Sequence, residues 1–510
     1  MPTELSWTEF RQAFGDLRAL LAFRSSGLAR KNRRRLRIGA GLVVVLTIAA
    51  IIGPAYANEL LDGKRAGTFV ALLPSFYLGF CLLSVVSAAA SGGGREVVPR
   101  EQAVAFPVST TVEHLGALLM APLNIAWFIQ GWTILGLTAY VFGPHRLPLV
   151  IAPVLIWLFT ATALAQVVGW MLEWIRRGQQ GIIVARLIVG ATISAVLSLI
   201  LLQQITHLLD KSPTVQILLV EDYGAGGVWW HWLLGVIVLV AIGLGAVLLG
   251  TVPARLALHR PLREELRLES SRHQPRQNPG SDLAAMVRVD RSAIWRSVPL
   301  RRGLVVLALT PGLVAVAGNL RWGTITILPG LVVSGGALLF GVNSWCLDGR
   351  GALWRDSLPA SPQLAFISRV VVLAEVLLVA AVVTIVLATL RAGTPTLGEA
   401  AALACATVVV IGQVVSTSMR WSVTRPFAVD MRSARATPAP PVVMAGYSAR
   451  LAIWTTLTGL IFSGLAEVDW NYSVTFALPM LGWSVYRLSR TAKQWAVPEI
   501  RSTVIATVSS

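Results

Sequence analysis

The sequence predicts an all-α polytopic membrane protein, with about 12 transmembrane helices set as two parallel, pseudo-repeated six-helix bundles. Three observations carry this. First, the 510 residues are 55% hydrophobic and only 13% charged, with a mean hydropathy of +0.68, whereas soluble domains are about a quarter charged. Second, the apolar residues gather into runs of about 20, the length a helix needs to cross hydrocarbon. The short alternating segments of a β-barrel do not dominate. Third, the halves echo each other. Gly67-Thr68-Phe69-Val70-Ala71-Leu72-Leu73-Pro74 returns as Gly323-Thr324-Ile325-Thr326-Ile327-Leu328-Pro329, and Phe106-Pro107-Val108-Ser109 as Leu358-Pro359-Ala360-Ser361. Gln166-Val167-Val168 with Trp174 returns as Gln413-Val414-Val415 with Trp421, and Ala185-Arg186-Leu187 as Ala449-Arg450-Leu451. The four matches are collinear at offsets of about 250 residues, near half the chain.

Residues 1–37 form a leader, amphipathic and then basic (Arg30-Lys31-Asn32-Arg33-Arg34-Arg35). Trp7, Phe10, Phe14, Leu17, Leu21 and Phe23 fall at helical spacing. Such a helix fits either a basic anchor on anionic lipid or an interface helix that meets a partner. The first half, 38–252, holds expected spans at 38–58, 68–90, 112–141, 148–174, 181–205 and 228–252. A charged linker follows at 253–300, with the polar run Ser271-Arg272-His273-Gln274-Pro275-Arg276-Gln277-Asn278-Pro279-Gly280 inside it. Asp282-Leu283-Ala284-Ala285-Met286-Val287 copies Asp16-Leu17-Arg18-Ala19-Leu20-Leu21 ahead of the next span. An amphipathic helix thus introduces each half, which favours the interface reading. The second half, 301–490, holds spans at 302–320, 322–343, 366–390, 397–419, 441–464 and 472–489, and 491–510 is a basic tail.

Formal net charge is +18. In a soluble protein that would point to nucleic acid, but cytoplasmic loops of membrane proteins carry excess Lys and Arg. Of the 43 Lys and Arg, about 35 fall on one side of the expected spans and about 6 on the other. No nucleic-acid partner is expected. The protein is placed in the plasma membrane, multi-pass, with both termini cytoplasmic and Trp229, Trp230 and Trp232 at the outer boundary. Lysine occurs only at Lys31, Lys64, Lys211 and Lys493, an arginine-dominated usage of the kind GC-rich actinobacterial genomes give. Cys81, Cys346 and Cys405 are too few and scattered for a disulfide framework or a metal site. No cleavable signal peptide is read, since the first apolar run starts near Ile38.

No Gly-x-x-x-x-Gly-Lys-Ser/Thr, His-Glu-x-x-His or Gly-x-Ser-x-Gly occurs, so no P-loop, zincin or hydrolase centre is expected. The six histidines form no metal spacing. The informative segments are two loops. After span two, Gly92-Gly93-Gly94-Arg95-Glu96 leads through Arg100-Glu101 to Pro107 and Ser109. After span eight, Asp348-Gly349-Arg350-Gly351 leads through Trp354-Arg355-Asp356 to Pro359 and Ser361. Each has Gly with Arg, a short charged-apolar helix, then apolar-Pro-x-Ser opening the next span, where Pro and Ser suit a first turn and a cap.

In these loops and in its overall organisation the chain resembles the permease subunits of ABC-2-type exporters, above all the large fused actinobacterial kind. The Asp-Gly-Arg-Gly…Leu-Pro-x-Ser pattern of the second half is the better match. The first half is a degraded copy that lacks the Asp. The resemblance implies docking of separate P-loop ATPase subunits, two copies, on the leader (Trp7, Phe10, Phe14) and on the two loops. The loop residues are Arg95, Arg100, Glu101, Pro107 and Ser109, then Asp348, Arg350, Arg355, Asp356, Pro359 and Ser361. ATP and Mg would sit on the partner, with no cofactor on this chain, which is then not itself an enzyme. Being outside the bilayer, these loop charges are expected to be replaceable at little cost in stability.

Polar residues inside spans mark a path for cargo or bonds between helices. Glu375, Asn124, Gln166 and Gln413 are the candidates. A path with so few charges suits a hydrophobic or amphipathic substrate: a drug or antibiotic, a lipid or a peptide. The alternatives are a secondary, ion-coupled transporter, which would want several buried carboxylates, and a membrane-embedded lipid-modifying enzyme, which would want clustered acids or histidines at one face. Arg186 and Arg450 sit where arginine can snorkel.

Overall fold

A computed structural model describes residues 7–26, 30–60, 66–91, 108–123, 125–204, 211–260, 277, 279–349, 351–428, 438–439 and 441–509. Among them 86% are helical and none are in strands. Among the described residues eight helical segments are long and apolar enough to cross a bilayer, which is the build of an all-α, multi-pass membrane protein. The chain divides into two compact units, Met1–Ser271 and Arg272–Ser510, and the division falls inside the expected linker.

Unit 1 runs α1 (Trp7–Ser26), α2 (Arg30–Leu60), α3 (Ala66–Ser91), α4 (Thr110–Met120), α5 (Ile125–Phe142), α6 (Leu147–Arg176), α7 (Gly181–Leu201), α8 (Val215–Gly226) and α9 (Trp229–Leu258). Helix α6 is the hub and packs on α3, α5, α8 and α9. Its Val154, Trp157, Leu158 and Ala161 meet Leu73, Tyr77 and Phe80 of α3 and Ile134 and Leu135 of α5. Helix α7 leans on α6 and exposes Ile183, Val184, Leu187 and Ile188, as expected of a helix with lipid on most sides.

Small residues set how closely α3 and α6 approach. A Cβ on Gly169 would lie 3.0 Å from the Ala88 Cβ and 3.2 Å from its carbonyl. Gly169→Val will therefore push α3 off α6 at a cost of about 1–3 kcal/mol, read as a lowered melting temperature of the purified chain. Gly190→Ala on α7 is the control, because nothing lies within 4 Å of that position. Equal melting of the two variants would refute the close contact.

Unit 2 runs α10 (Asp282–Arg296), α11 (Val298–Ala317), α12 (Trp322–Ile325), α13 (Leu328–Leu339), a 3-10 helix (Gly341–Leu347), α14 (Gly351–Asp356), α15 (Pro362–Thr389), α16 (Leu397–Thr424), α17 (Pro441–Leu465), α18 (Trp470–Ala496) and α19 (Pro498–Ser509). Its core joins Val332 and Val333 of α13, Val372, Leu373 and Leu377 of α15, and Val410, Val414 and Met419 of α16.

Several expected spans depart from simple long apolar helices. In 38–58 the apolar stretch narrows to Val43–Ala57, on a helix that begins in the basic run. In 112–141 the chain breaks into α4, a 3-10 turn at Ala121–Leu123 and α5, because Pro122 cannot donate the helical hydrogen bond. Span 441–464 is one helix, α17, carrying Arg450, Thr455, Thr456 and Thr458. Span 472–489 lies in α18, which continues through Arg487, Arg490 and Lys493. Span 322–343 is also interrupted, at α12, α13 and the 3-10 helix. There Asn343 leaves helical geometry with φ −149° and ψ 73°. Its Nδ2 donates to the carbonyls of Phe427 (2.8 Å) and Pro438 (3.1 Å). The Ser344 N–H donates to Ser422 Oγ at 2.8 Å. Interrupted backbone needs such partners, and Ser422 supplies two, since its Oγ also donates to the Gly341 carbonyl at 3.2 Å.

The leader and the tail both contain helices that pack on their own unit. Helix α1 buries Ala13 and Leu17 against Val112, Leu115 and Val247, while Phe14 stays 63% exposed. Of the expected stripe Leu17 is thus buried and Phe14 is not, and the side chains of Trp7, Phe10, Leu21 and Phe23 lie outside the described residues. Residues 498–509 are no loose tail but the helix α19, with Val504, Ile505 and Val508 buried.

Candidate functional site

The loop expected to be an open polar turn is instead the edge of a buried charge cluster in unit 2. Four elements supply it. Helix α10, capped by Ser281 Oγ accepting from the Ala284 N–H at 3.2 Å, brings Asp290. The turn after the 3-10 helix brings Asp348. Gly349 there has φ +48°, a left-handed conformation that glycine adopts without strain. This turn lets α14 start at once and carry Arg355 inward. Helix α15, capped by Ser361 Oγ accepting from the Leu364 N–H, brings Ser368 and Arg369.

The four charges close into a ring of alternating sign. Arg355 donates from Nη1 to Asp290 Oδ1 at 2.6 Å and to Asp348 Oδ1 at 3.0 Å, and from Nη2 to Asp290 Oδ2 at 3.2 Å. Arg369 Nη2 lies 2.7 Å from Asp348 Oδ2 and 3.2 Å from Asp290 Oδ1. Ser368 Oγ donates to Asp290 Oδ2 at 2.6 Å. Asp290, Ser368 and Arg369 are fully buried. Burial alone would raise the Asp290 carboxyl, but Arg369, followed by the Arg355 hydrogen bond and charge, holds it below its ordinary value. Burial likewise works against the Arg355 charge, and Asp348 and Asp290 outweigh it, so its proton is held more tightly than usual.

A second layer covers the ring. The Arg369 guanidinium lies 5.4 Å from the Trp345 ring centroid. Trp345 stacks on Trp495 at 3.9 Å with the planes 4° apart, and Trp495 Nε1 donates to the Pro362 carbonyl at 3.1 Å. Helix α19 closes the side, where Arg501 Nε pairs with Asp356 Oδ1 at 2.8 Å. Between them is a cavity of about 30 Å³ lined by Trp345, Asp348, Arg355, Trp495 and Arg501, room for about one water. The Trp345 Nε1 and Arg355 Nε donors are buried and have no protein partner among the described residues.

The ring's charges are taken up by one another. The ring is a rigid fastening of α14 to α10 and α15, because pulling out one member strands the others. Among the described residues no group of three His, Cys, Asp or Glu could hold a metal ion.

The expected site residues scatter around this fastening. Asp348 and Arg355 lie in the ring, and Asp356 pairs with α19. Asp348 and Arg355 are not free loop charges, so the low stability cost expected for them is corrected: burial and mutual pairing make them structural, whereas Asp356 is exposed and its one ion pair is a surface contact. Ser361 is spent as a cap, as is Ser109, whose Oγ accepts from the Val112 N–H at 3.2 Å. Pro359 is exposed. The outward side of α14 presents Leu353 and Trp354, the latter 65% exposed. Their outward facing was not legible beforehand, since apolar letters in a loop do not say which side of a short helix they take. Arg95, Arg100, Glu101, Pro107, Arg350 and Asn124 lie outside the described residues, as do the side chains of Trp7 and Phe10.

Of the intramembrane candidates, Glu375 pairs with Arg291 of α10 at 2.8 Å, both partly exposed. Gln413 Oε1 accepts from Thr458 Oγ1 of α17 at 3.1 Å. Gln166 is buried in α6, and its Oε1 has no partner among the described residues.

Unit 1 is fastened differently. His114 of α4 accepts from Trp170 Nε1 at 3.1 Å and its Nε2 lies 3.1 Å from the Val247 carbonyl. Arg177 pairs with Glu173 at 3.1 Å and donates to the Ala257 carbonyl at 2.8 Å. Arg260 donates to the Trp174 carbonyl and lies over its ring. These bonds tie α6 to α4 and α9.

No protein-family model matches the chain. No curated protein and no solved structure matches it either.

Proposed function

We propose that the chain is the membrane-spanning permease of an ATP-driven exporter of the ABC-2 kind, moving a hydrophobic or amphipathic substrate out of the cell. The observation that carries this is α14. A short helix is anchored inward by charge and turns a leucine and a tryptophan outward, as a site for a separate subunit would require. Aromatic anchors of this kind dominate binding energy at interfaces. The sequence adds the absence of a P-loop, the amphipathic helix ahead of each half, and the echo between halves. In this reading the twelve spans form two parallel six-helix bundles in the plasma membrane, with both termini cytoplasmic. Two copies of a P-loop ATPase bind, and ATP and Mg sit on them. The docking set gains Leu353 and Trp354 beside the loop and leader residues. Glu375 and Gln413 already bond within unit 2, which favours holding roles for both. Gln166, with an oxygen left over, is the better path residue.

The test is co-purification from the native cell in mild detergent. A P-loop ATPase will accompany the wild-type chain, and Trp354→Ala will reduce its recovery at least about tenfold without lowering the yield of the chain. Recovery of no such ATPase with wild type would overturn the exporter reading. Undiminished recovery with Trp354→Ala would remove α14 from the interface.

A further inference from the structure

We propose that Glu221 is a proton-binding site that, when occupied, latches α8 onto the unit 1 bundle. Helix α8 is short, between α7 and α9, and packs on α3, α6 and α9. Its Glu221 is fully buried, as are Tyr77 of α3 and Thr138 of α5. The Tyr77 oxygen lies 2.7 and 2.9 Å from the two carboxyl oxygens and 2.8 Å from Thr138 Oγ1. This chain of three can run either way. With Glu221 ionised, Thr138 donates to Tyr77 and Tyr77 to the carboxylate. With Glu221 protonated, the acid donates to Tyr77 and Tyr77 to Thr138. Both states keep their hydrogen bonds, so taking up or releasing a proton from water leaves no broken link in the chain.

Charge decides which state is preferred. No Lys, Arg or His among the described residues pairs with the carboxylate. From α3 it meets Tyr77, and beyond that Thr138 of α5. Arg146, ahead of α6, donates instead to the Ala225 carbonyl at 3.1 Å. From α9 His231 lies against Tyr223, ring centroids 5.1 Å apart. On either side of Glu221, Lys211 and Asp222 are exposed. A buried, unpaired carboxylate is costly. Burial accordingly pushes the Glu221 carboxyl from its ordinary 4.5 up to about 8, against the opposing pull of the Tyr77 hydrogen bond. The latch has a second, uncharged tether at the start of α8, where Thr214 Oγ1 donates to the Pro74 carbonyl at 2.8 Å.

The sign follows from linkage. The docked state holds the proton more tightly than the undocked one, so docking is strongest below about 4.5 and weakens as pH rises to about 8, then levels. Across that window the opening equilibrium of α8 rises by up to about tenfold per pH unit.

Amide hydrogen exchange of residues 215–226, in the full chain in lipid nanodiscs, tests this. Glu221→Gln is near-isosteric, keeps a partner for Tyr77 and does not titrate. The ratio of wild-type to Glu221→Gln exchange therefore cancels the pH dependence of exchange chemistry itself. We expect that ratio to climb between about pH 5 and 8 and then flatten. In Tyr77→Phe, losing the bond that favours the carboxylate will move the plateau to higher pH. Should either variant fail to fold, infrared difference spectra of wild type decide the same question. A carboxylic acid band present near neutral pH and lost by about pH 9 supports the site. A ratio independent of pH, a plateau unmoved by Tyr77→Phe, or a carboxylate already ionised at neutral pH overturns it. None of these readouts depends on an ATPase partner, so the exporter reading stands or falls separately.

Discussion

Asp290→Ala will cost unit 2 about 3–5 kcal/mol, the range for breaking a buried ion pair from one side. Asp290 takes bonds from Arg355 and Ser368 and faces Arg369, and its removal leaves two buried guanidinium groups against the single carboxylate of Asp348. The measurement is thermal unfolding of the purified chain. Asp290→Leu combined with Arg355→Met removes one charge of each sign and will cost less than Asp290→Ala alone, because no net charge is then stranded. If the double variant is the less stable, electrostatic stranding is not the cause. The pH dependence has a definite sign. The Asp290 carboxyl is held below its ordinary 3.8, so its contribution is present above that value and lost as pH falls through the lower, folded one. Between about pH 5 and 8 this group will leave stability flat. A slope there removed by Asp290→Asn would refute the assignment.

Trp495→Ala is the second large effect, about 3–5 kcal/mol for emptying a buried tryptophan site. Trp495 stacks on Trp345 and holds the Pro362 carbonyl, so the loss opens the seat of α19 as well as the cover of the ring. Limited proteolysis will show it. The segment 498–509, protected in wild type through Val504, Ile505 and Val508, will be clipped in the variant. Arg501→Ala breaks only a partly exposed ion pair, worth about 0–1 kcal/mol, and will leave the segment protected. Equal clipping of both variants would mean that the tryptophan stack does not hold the helix.

Much of this architecture was legible in the letters. Run length and composition marked the helices. Apolar-Pro-x-Ser marked the serine caps of α4 and α15. The ring was not legible, because Asp290 and Arg355 are 65 residues apart and Asp290 and Ser368 are 78 apart. Loop charges read as solvated until a neighbouring helix is seen to cover them. Glu375 looked like a lone carboxylate inside an apolar run, since nothing local announces Arg291. Glu221 went unremarked because a carboxylate in a short segment between apolar runs reads as loop. Helix α19 did leave a signal: Ile500, Val504, Ile505 and Val508 recur at helical spacing, but basic neighbours made the stretch read as a tail.

The shortness of α14 has a consequence for the speed and strength of any association there. Six residues make too small a helix to persist in water by itself, so its shape is imposed by Arg355 in the ring and by α19 alongside. Leu353 and Trp354 are therefore held in place before anything meets them. Any binder arriving at α14 forfeits little conformational freedom on this chain's side, and that saving goes directly into affinity. Loosening Asp290, remote from the contact itself, will then weaken binding as an entropic loss while every touching atom stays the same.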